Sequence, residues 1–251
     1  MRVGWIQDPV AYTGGAELTC QEFRAAVPEG VEIVDCPPGN VERGLDAYIA
    51  QNVTRYDLED FDSIRQPVTW YHHDLSPWIK PGVRHYLNEH ARHIFCSPLQ
   101  QDHYGAEGEL IPPPLDVDRY KPSRQRRRHR KGTMTLAQWR NPGKGAQAIA
   151  EWALENGPLD VYGDGEFYPA GHNLEVKGPV PHDQVPNLLL DYETFVFLPF
   201  DVEPFCRCVA EAWASGMELV INRNIGATYW LTESPEALRT AASDFWGAIL
   251  D

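Results

Sequence analysis

"TFVFLPF", residues 194–200, followed closely by "EPFCRCVAEAWASG", residues 203–216, carries the most information about architecture. The first stretch is a short apolar run, rich in aromatic and β-branched residues and closed by a proline, which reads as a buried strand. The second has helical composition from about Arg207 to Ser215 and stops at Gly216. A strand apolar on both faces, running into a helix, is the building unit of a parallel sheet covered on both sides.

The same rhythm extends toward both ends of the chain. Upstream, "TMTLA", "LDVYG" and "LEVKG" read as strands, with helices at about 145–155 and 182–191; downstream come strand "ELVIN" and a helix from about Pro235. An earlier series begins with strand "RVGWI", helix "AELTCQEFRAAV" and strand "VEIVDC". It continues through "DAYIAQN", "PVTWYHH", "RHIFCS" and a short strand in "GELIPPPLD", with helices at about 82–91 and 98–105. Two βα series of similar length predict an α/β protein with two Rossmann-like domains, 1–120 and 133–251, joined by a linker at 121–132 and facing a shared cleft.

The bulk composition fits. The chain has 251 residues, 43% of them hydrophobic and 23% charged, with a net charge of −14. No apolar run reaches the roughly 20 residues of a membrane helix, and "MRVGWIQDPV" lacks a signal-peptide layout. Five scattered cysteines in a chain of this size point to a reducing, cytoplasmic setting. One segment opposes the acidic balance: "RQRRRHRK", 124–131, places six positive charges in eight residues. It reads as a solvated linker or as a contact for phosphates or a membrane surface.

Four strand-to-helix junctions carry candidate chemistry. In "YTGGAE", Gly14 and Gly15 precede a helix whose first amides and dipole suit an anion, although such a pair also serves as a plain turn. In "WRNPGKGAQAI", Arg140 and Lys144 stand beside glycines, a pattern that suits a diphosphate but lacks the spacing of an NTPase P-loop. In "YHHDL", His72 and His73 point to opposite strand faces, which disfavours a shared metal; no metal is expected, and His73 alone suits hydrogen bonding or proton transfer. In "EPFCRCVAE", Glu203 lies in the loop and Glu211 on the helix, with first-turn amides from Cys206 to Val209. Each glutamate taken alone also fits a surface carboxylate, and the pair Cys206 and Cys208 lacks the partner cysteines of a zinc site.

Taken together and in order, these motifs resemble the GT-B glycosyltransferases, specifically glycosyltransferase family 4. The family's Glu-Pro-Phe-Gly followed after four residues by Glu-Ala-x-Ala-x-Gly is similar to Glu203–Cys206 and Glu211–Gly216. Its Gly-Asp-Gly resembles Gly163–Gly165, its Lys-Gly resembles Lys144–Gly145, and its glycine-rich donor loop resembles Gly14–Glu17. The resemblance implies a minimal GT-B fold and a retaining, metal-independent hexosyltransferase that needs no cofactor and uses a UDP- or GDP-sugar as co-substrate. It implies that Glu203 binds donor-sugar hydroxyls, Glu211 the ribose, Lys144 and Arg140 the diphosphate, and His73 the transferring sugar. Glu203, His73 and Lys144 form the expected catalytic set. Gly14, Gly15, Arg140, Lys144, Gly163, Glu203, Phe205, Cys206, Arg207, Cys208, Val209 and Glu211 form the donor-binding set. The acceptor stays open between a carbohydrate, a lipid-linked or small molecule, and DNA. A non-catalytic nucleotide-sugar-binding subunit is the alternative. The chain departs from the family at Cys206, where glycine is usual, and at Trp139, where an arginine is usual.

Overall fold

The computed structural model describes residues 1–9, 14–75, 78–121, 132–167 and 173–251. The chain divides into two compact units, Met1–Pro114 with Glu236–Asp251, and Leu115–Pro235.

The first unit holds a six-stranded parallel sheet in the order β2-β1-β3-β4-β5-β6. Its strands are β1 (Arg2–Gln7), β2 (Glu32–Asp35), β3 (Ala47–Gln51), β4 (Val68–His72), β5 (Ala91–Phe95) and β6 (Glu109–Leu110). Every residue of β3 and β4 is buried, as a sheet flanked on both faces requires. Helices α1 (Gly15–Ala25), α2 (Pro81–His90) and α3 (Pro98–Tyr104) follow β1, β4 and β5. The ends of α3 are written in its sequence: the Ser97 hydroxyl accepts from the Gln100 amide, Pro98 opens the first turn, and Gly105 closes the helix at φ 74°.

The second unit holds a five-stranded parallel sheet in the order β11-β10-β7-β8-β9. Its strands are β7 (Thr133–Leu136), β8 (Leu159–Tyr162), β9 (Leu174–Gly178), β10 (Thr194–Phe197) and β11 (Glu218–Ile221). Its helices are α4 (Ala146–Asn156), α5 (Val185–Leu189), α6 (Arg207–Ala214) and α7 (Ala227–Glu233). Phe195, Val196 and Phe197 of β10 are fully buried, as expected for a strand covered on both faces.

The chain divides differently from the sequence expectation. The last helix, α8 (Ala237–Leu250), was expected in the second domain but belongs to the first unit. Its stripe of Leu238, Ala241, Phe245, Trp246 and Ile249 is buried. Phe245 stacks on Phe23 of α1 at 3.9 Å between ring centres, and the Trp246 indole donates to the Phe23 carbonyl at 2.8 Å. The stripe is legible in sequence as an amphipathic helix, but not which sheet it covers. The boundary before the second unit also moves, from the expected 132/133 to Pro114/Leu115, because Val117 and Tyr120 pack into that unit. The expected linker at 121–132, with its basic run at 124–131, lies almost wholly outside the described residues.

Both sheets reverse their strand order beside the first strand. In the second unit the reversal falls between β7 and β10, in the first between β1 and β3. In open parallel sheets, ligands bind at the carboxyl edge beside this reversal.

Candidate functional site

Lys144 and Glu203 meet at the reversal in the second unit. Lys144 ends the loop that leaves β7, and Glu203 lies in the loop that leaves β10. The Lys144 ammonium donates to both Glu203 carboxylate oxygens at 2.7 Å. Only 22% of the lysine side chain and 11% of the glutamate side chain remain exposed, so the pair is largely shielded from water. Burial is the largest single influence and works against the ammonium, but the charge and hydrogen bond of Glu203, together with Cys206 and Cys208, outweigh it and hold the Lys144 pKa above the usual lysine value.

The backbone fixes both partners. Gly145 follows Lys144 at φ 80°, and a side chain there would meet the Leu198 carbonyl at 1.8 Å; only glycine allows this approach between the two loops. The Phe200 and Asp201 amides then donate to the Gly143 carbonyl at 2.8 and 3.1 Å. Glu203 forms a parallel bridge with Ile225; its amide donates to the Asn224 carbonyl and its own carbonyl accepts from Gly226. Residues 223–225 carry no sequence motif of their own, because their role is a long-range backbone contact.

A second carboxylate cluster surrounds Glu211 on α6. Arg207, one helical turn earlier, donates through Nε at 2.9 Å, and His182 Nε2 lies 3.2 Å from the same oxygen. The Tyr120 hydroxyl is buried and faces Glu211 without closing a hydrogen bond of ordinary geometry. Glu211 and Arg207 retain 4% and 9% side-chain exposure. Burial raises the Glu211 pKa, but the hydrogen bond with His182 and the Arg207 charge outweigh it and leave the carboxyl below its usual range. The Arg207–Glu211 spacing is a sequence-legible helical pair; His182 and Tyr120 had no local signal.

The other expected residues are distributed around these two clusters. Arg140 pairs with Asp164 at 3.0 Å on the exposed rim, so the two cations of this loop serve different carboxylates. Gly163, at φ 129°, lets the loop after β8 close on the loop after β7, where a side chain would meet the Ala137 carbonyl at 1.7 Å. Trp139 is buried, and its indole donates to the Tyr162 carbonyl at 2.7 Å, which ties the same two loops together. Phe205 is buried, with its carbonyl accepting from Ala227. The Val209 amide closes a helix bond to the Cys206 carbonyl at 3.1 Å and its side chain is fully buried. A cavity of about 390 Å³ opens elsewhere on this unit, between Asp160, Tyr162, Asp191 and Tyr192; Lys144 and Glu203 do not line it.

Cys206 caps α6 at φ 70° and ψ 80°. It and Asn52 are the non-glycine residues with positive φ among the described residues. The left-handed backbone explains why glycine suits this position. An L-residue there costs about 1–2 kcal/mol, so Cys206→Gly is expected to raise the thermal midpoint of this unit by roughly 2–8 °C. Differential scanning calorimetry checks it, and an unchanged or lower midpoint counts against backbone strain at Cys206. The Cys206 and Cys208 sulfurs lie 3.4 Å apart as free thiols.

Gly14, Gly15 and His73 belong to the first unit. The Gly14 amide donates to Glu17 Oε2 at 2.9 Å, which closes the start of α1. His72 turns into the core, with Nε2 2.9 Å from His93 Nδ1, while His73 turns toward Gln51 and Cys20. Among the described residues no three histidine, cysteine or acidic side chains converge as metal ligands, and no helix is long and apolar enough to cross a membrane.

Comparison with known proteins adds the fold's relatives. The sequence matches no protein-family model and no curated protein. Among solved structures, the chain is similar to sucrose-phosphate synthase from Thermosynechococcus elongatus, with TM-score 0.72, 12% identity, and coverage of 99% of this chain and 90% of that one. It is similar to Anabaena HepE in complex with UDP, with TM-score 0.69, 18% identity, and coverage of 100% and 90%. The fold is that of the GT-B glycosyltransferases. A third GT-B relative is an α-glucosyltransferase in complex with UDP and a 13-mer DNA, with TM-score 0.59, 10% identity, and coverage of 100% and 92%. At these identities the likeness shows the GT-B fold alone.

Proposed function

We propose that this chain is a retaining glycosyltransferase that moves a hexose from a UDP- or GDP-sugar to a hydroxyl acceptor. The observation that carries the proposal is the shielded Lys144–Glu203 pair at the strand reversal of the second sheet. An ammonium has three donors. Two go to Glu203, which leaves one for a phosphate oxygen. Sugar transfer builds negative charge on the departing diphosphate, and a fixed cation in a shielded site stabilises that charge as it forms. The Glu203 carboxylate accepts from sugar hydroxyls on the same side and holds the donor beside the cation. In this reading the diphosphate charge is met by protein cations, with no metal ion, and Glu211 receives the ribose hydroxyls. UDP in the HepE structure supports the choice of donor class.

A donor screen tests the reading. A ligand that binds only the folded state raises its melting temperature. UDP-glucose, UDP-galactose, UDP-N-acetylglucosamine, GDP-mannose and GDP-fucose would be screened, then incubated with acceptor panels. Proton NMR of the product reads the anomeric configuration, with retention expected. No stabilising donor, together with an unaltered Glu203→Gln variant, sinks the proposal. Binding without transfer or hydrolysis points to a non-catalytic nucleotide-sugar-binding subunit.

A second reading of the acceptor rests on the six positive charges at 124–131 and on the DNA bound to one GT-B relative. Were DNA the acceptor, neutralising Arg126, Arg127 and Arg128 would weaken oligonucleotide binding and make its salt dependence shallower by roughly two to three units of slope. Unchanged oligonucleotide affinity leaves a carbohydrate, lipid-linked or small-molecule acceptor.

A further inference from the structure

The carboxyl edge of the first sheet holds a side-chain network around His73, in which the partners Gln51 and Cys20 were marked by no sequence motif. Gln51 is the last residue of β3, beside the strand reversal of that sheet, and is fully buried. Its Oε1 receives two contacts: the Cys20 thiol of α1 at 3.0 Å and His73 Nε2 at 2.6 Å. The Cys20 sulfur also lies 3.3 Å from His73 Nε2. Asn52, directly after Gln51, takes a positive φ of 44°, so the chain turns sharply once the carboxamide is placed.

We propose that Gln51 is a positioning residue that locks His73 in the Nε2–H tautomer and thereby presents Nδ1 as a bare acceptor to a substrate hydroxyl. The inference rests on the proposed sugar transfer and on the expectation, implied by the family resemblance, that His73 contacts the transferring sugar.

With the Gln51 carboxamide turned so that Oε1 faces Cys20 and His73, and its Nε2 buried without a hydrogen-bond partner, the 2.6 Å contact puts the hydrogen on His73 Nε2, since a carboxamide oxygen only accepts; the opposite turn of the carboxamide would put the hydrogen on Nδ1. Burial alone pushes the His73 pKa down to about 3. The ring is therefore neutral near pH 7, carries a single N–H, and keeps a lone pair on Nδ1. His73 remains partly exposed, and Nδ1 has no hydrogen-bond partner among the described residues. The titratable neighbours do not compete for the proton. Cys20 stays a thiol because burial raises its pKa, and buried His72 stays neutral because burial lowers its pKa. Tyr71 contributes a ring face 4.9 Å from the imidazole. A neutral ring with a lone pair not engaged by the described residues suits a hydroxyl donor of a sugar or acceptor; it does not suit an anionic phosphate oxygen, which needs a donor.

Two measurements on the full chain test this. In the first, nitrogen-15 NMR of histidine-labelled protein reads the two ring nitrogens of His73, assigned by loss of its signals in His73→Gln. The expected spectrum has Nε2 protonated and Nδ1 bare from pH 5 to pH 8. In Gln51→Leu that fixed pattern should give way to a mixture of tautomers. A proton on Nδ1 in the wild type, or an unchanged pattern in Gln51→Leu, overturns the inference. In the second, UDP-glucose consumption is followed against pH. A carboxylate in Gln51→Glu raises the pKa of the ring, so the variant should lose activity as pH falls through 7 to 5, whereas the wild type keeps it. Gln51→Leu should lose roughly tenfold at every pH, without a new acid limb. Identical profiles for the wild type and Gln51→Glu, or wild-type rates in His73→Gln, overturn the role. Should UDP-glucose not be consumed at all, the proposed function falls, and the tautomer spectrum still decides the inference about Gln51.

Discussion

Lys144→Met is expected to lower sugar transfer by about 10²–10³-fold, the loss typical when one preorganised electrostatic contact to developing charge is removed. The methionine keeps most of the stem and removes the charge. Three consequences separate this from general damage. Donor affinity should fall, because the ammonium is the proposed phosphate contact. The rate should not recover in Lys144→Met/Glu203→Gln, because neutralising Glu203 restores the electrostatic balance of the folded state but not the cation. The double variant should nevertheless be more stable than Lys144→Met, which leaves a carboxylate with 11% side-chain exposure and no ammonium. Steady-state kinetics with the donor found in the screen, together with thermal melts of the wild type and both variants, check the set. A Lys144→Met enzyme within threefold of the wild type would remove Lys144 from the reaction.

The second large effect concerns folding. Arg207→Leu should destabilise the Leu115–Pro235 unit by about 3–5 kcal/mol, since it removes the guanidinium and leaves Glu211, at 4% side-chain exposure, with His182 as its remaining hydrogen-bond partner. At that size the unit's thermal midpoint falls by roughly 6–15 °C. The pH dependence gives an independent reading. Glu211 has a depressed pKa when folded, so its contribution is fully present above about pH 4.3, the ordinary glutamate value, and is lost as pH falls through the lower folded-state value. Glu211→Gln should therefore be less stable than the wild type at pH 7, with the gap narrowing toward pH 3. Chemical denaturation at several pH values measures it, and a gap that stays constant or widens in acid contradicts the buried pair.

The βα rhythm made both sheets legible, because strands covered on both faces must be apolar throughout, and "TFVFLPF" could hardly be anything else. Helix α7 was not legible: its sequence, "ATYWLTE", is short and rich in β-branched and aromatic residues of modest helix propensity. It is docked from a distance, by the Ala227 amide on the Phe205 carbonyl and by the bridge between Ile225 and Glu203. The site divides in the same way. Lys144 and Glu203 are 59 positions apart, and only the resemblance brought them into one list of candidates; their contact is a property of two loops meeting across a strand reversal. The Arg207–Glu211 pair follows from helical spacing. Tyr120, His182 and Gln51 are set beside their partners by tertiary packing and leave no mark in local sequence. Cys206 moved the other way. The sequence showed a departure from a glycine position, and the backbone at φ 70° shows why glycine fits there.

A crystal structure of the chain grown with the nucleotide sugar that stabilises it most would be the plainest measurement. It should show the diphosphate at the carboxyl edge between β7 and β10, with a phosphate oxygen about 2.7–3.2 Å from Lys144 Nζ and a sugar hydroxyl within the same range of Glu203. A nucleotide sugar bound elsewhere, with the Lys144–Glu203 pair closed and untouched, would contradict the proposed function.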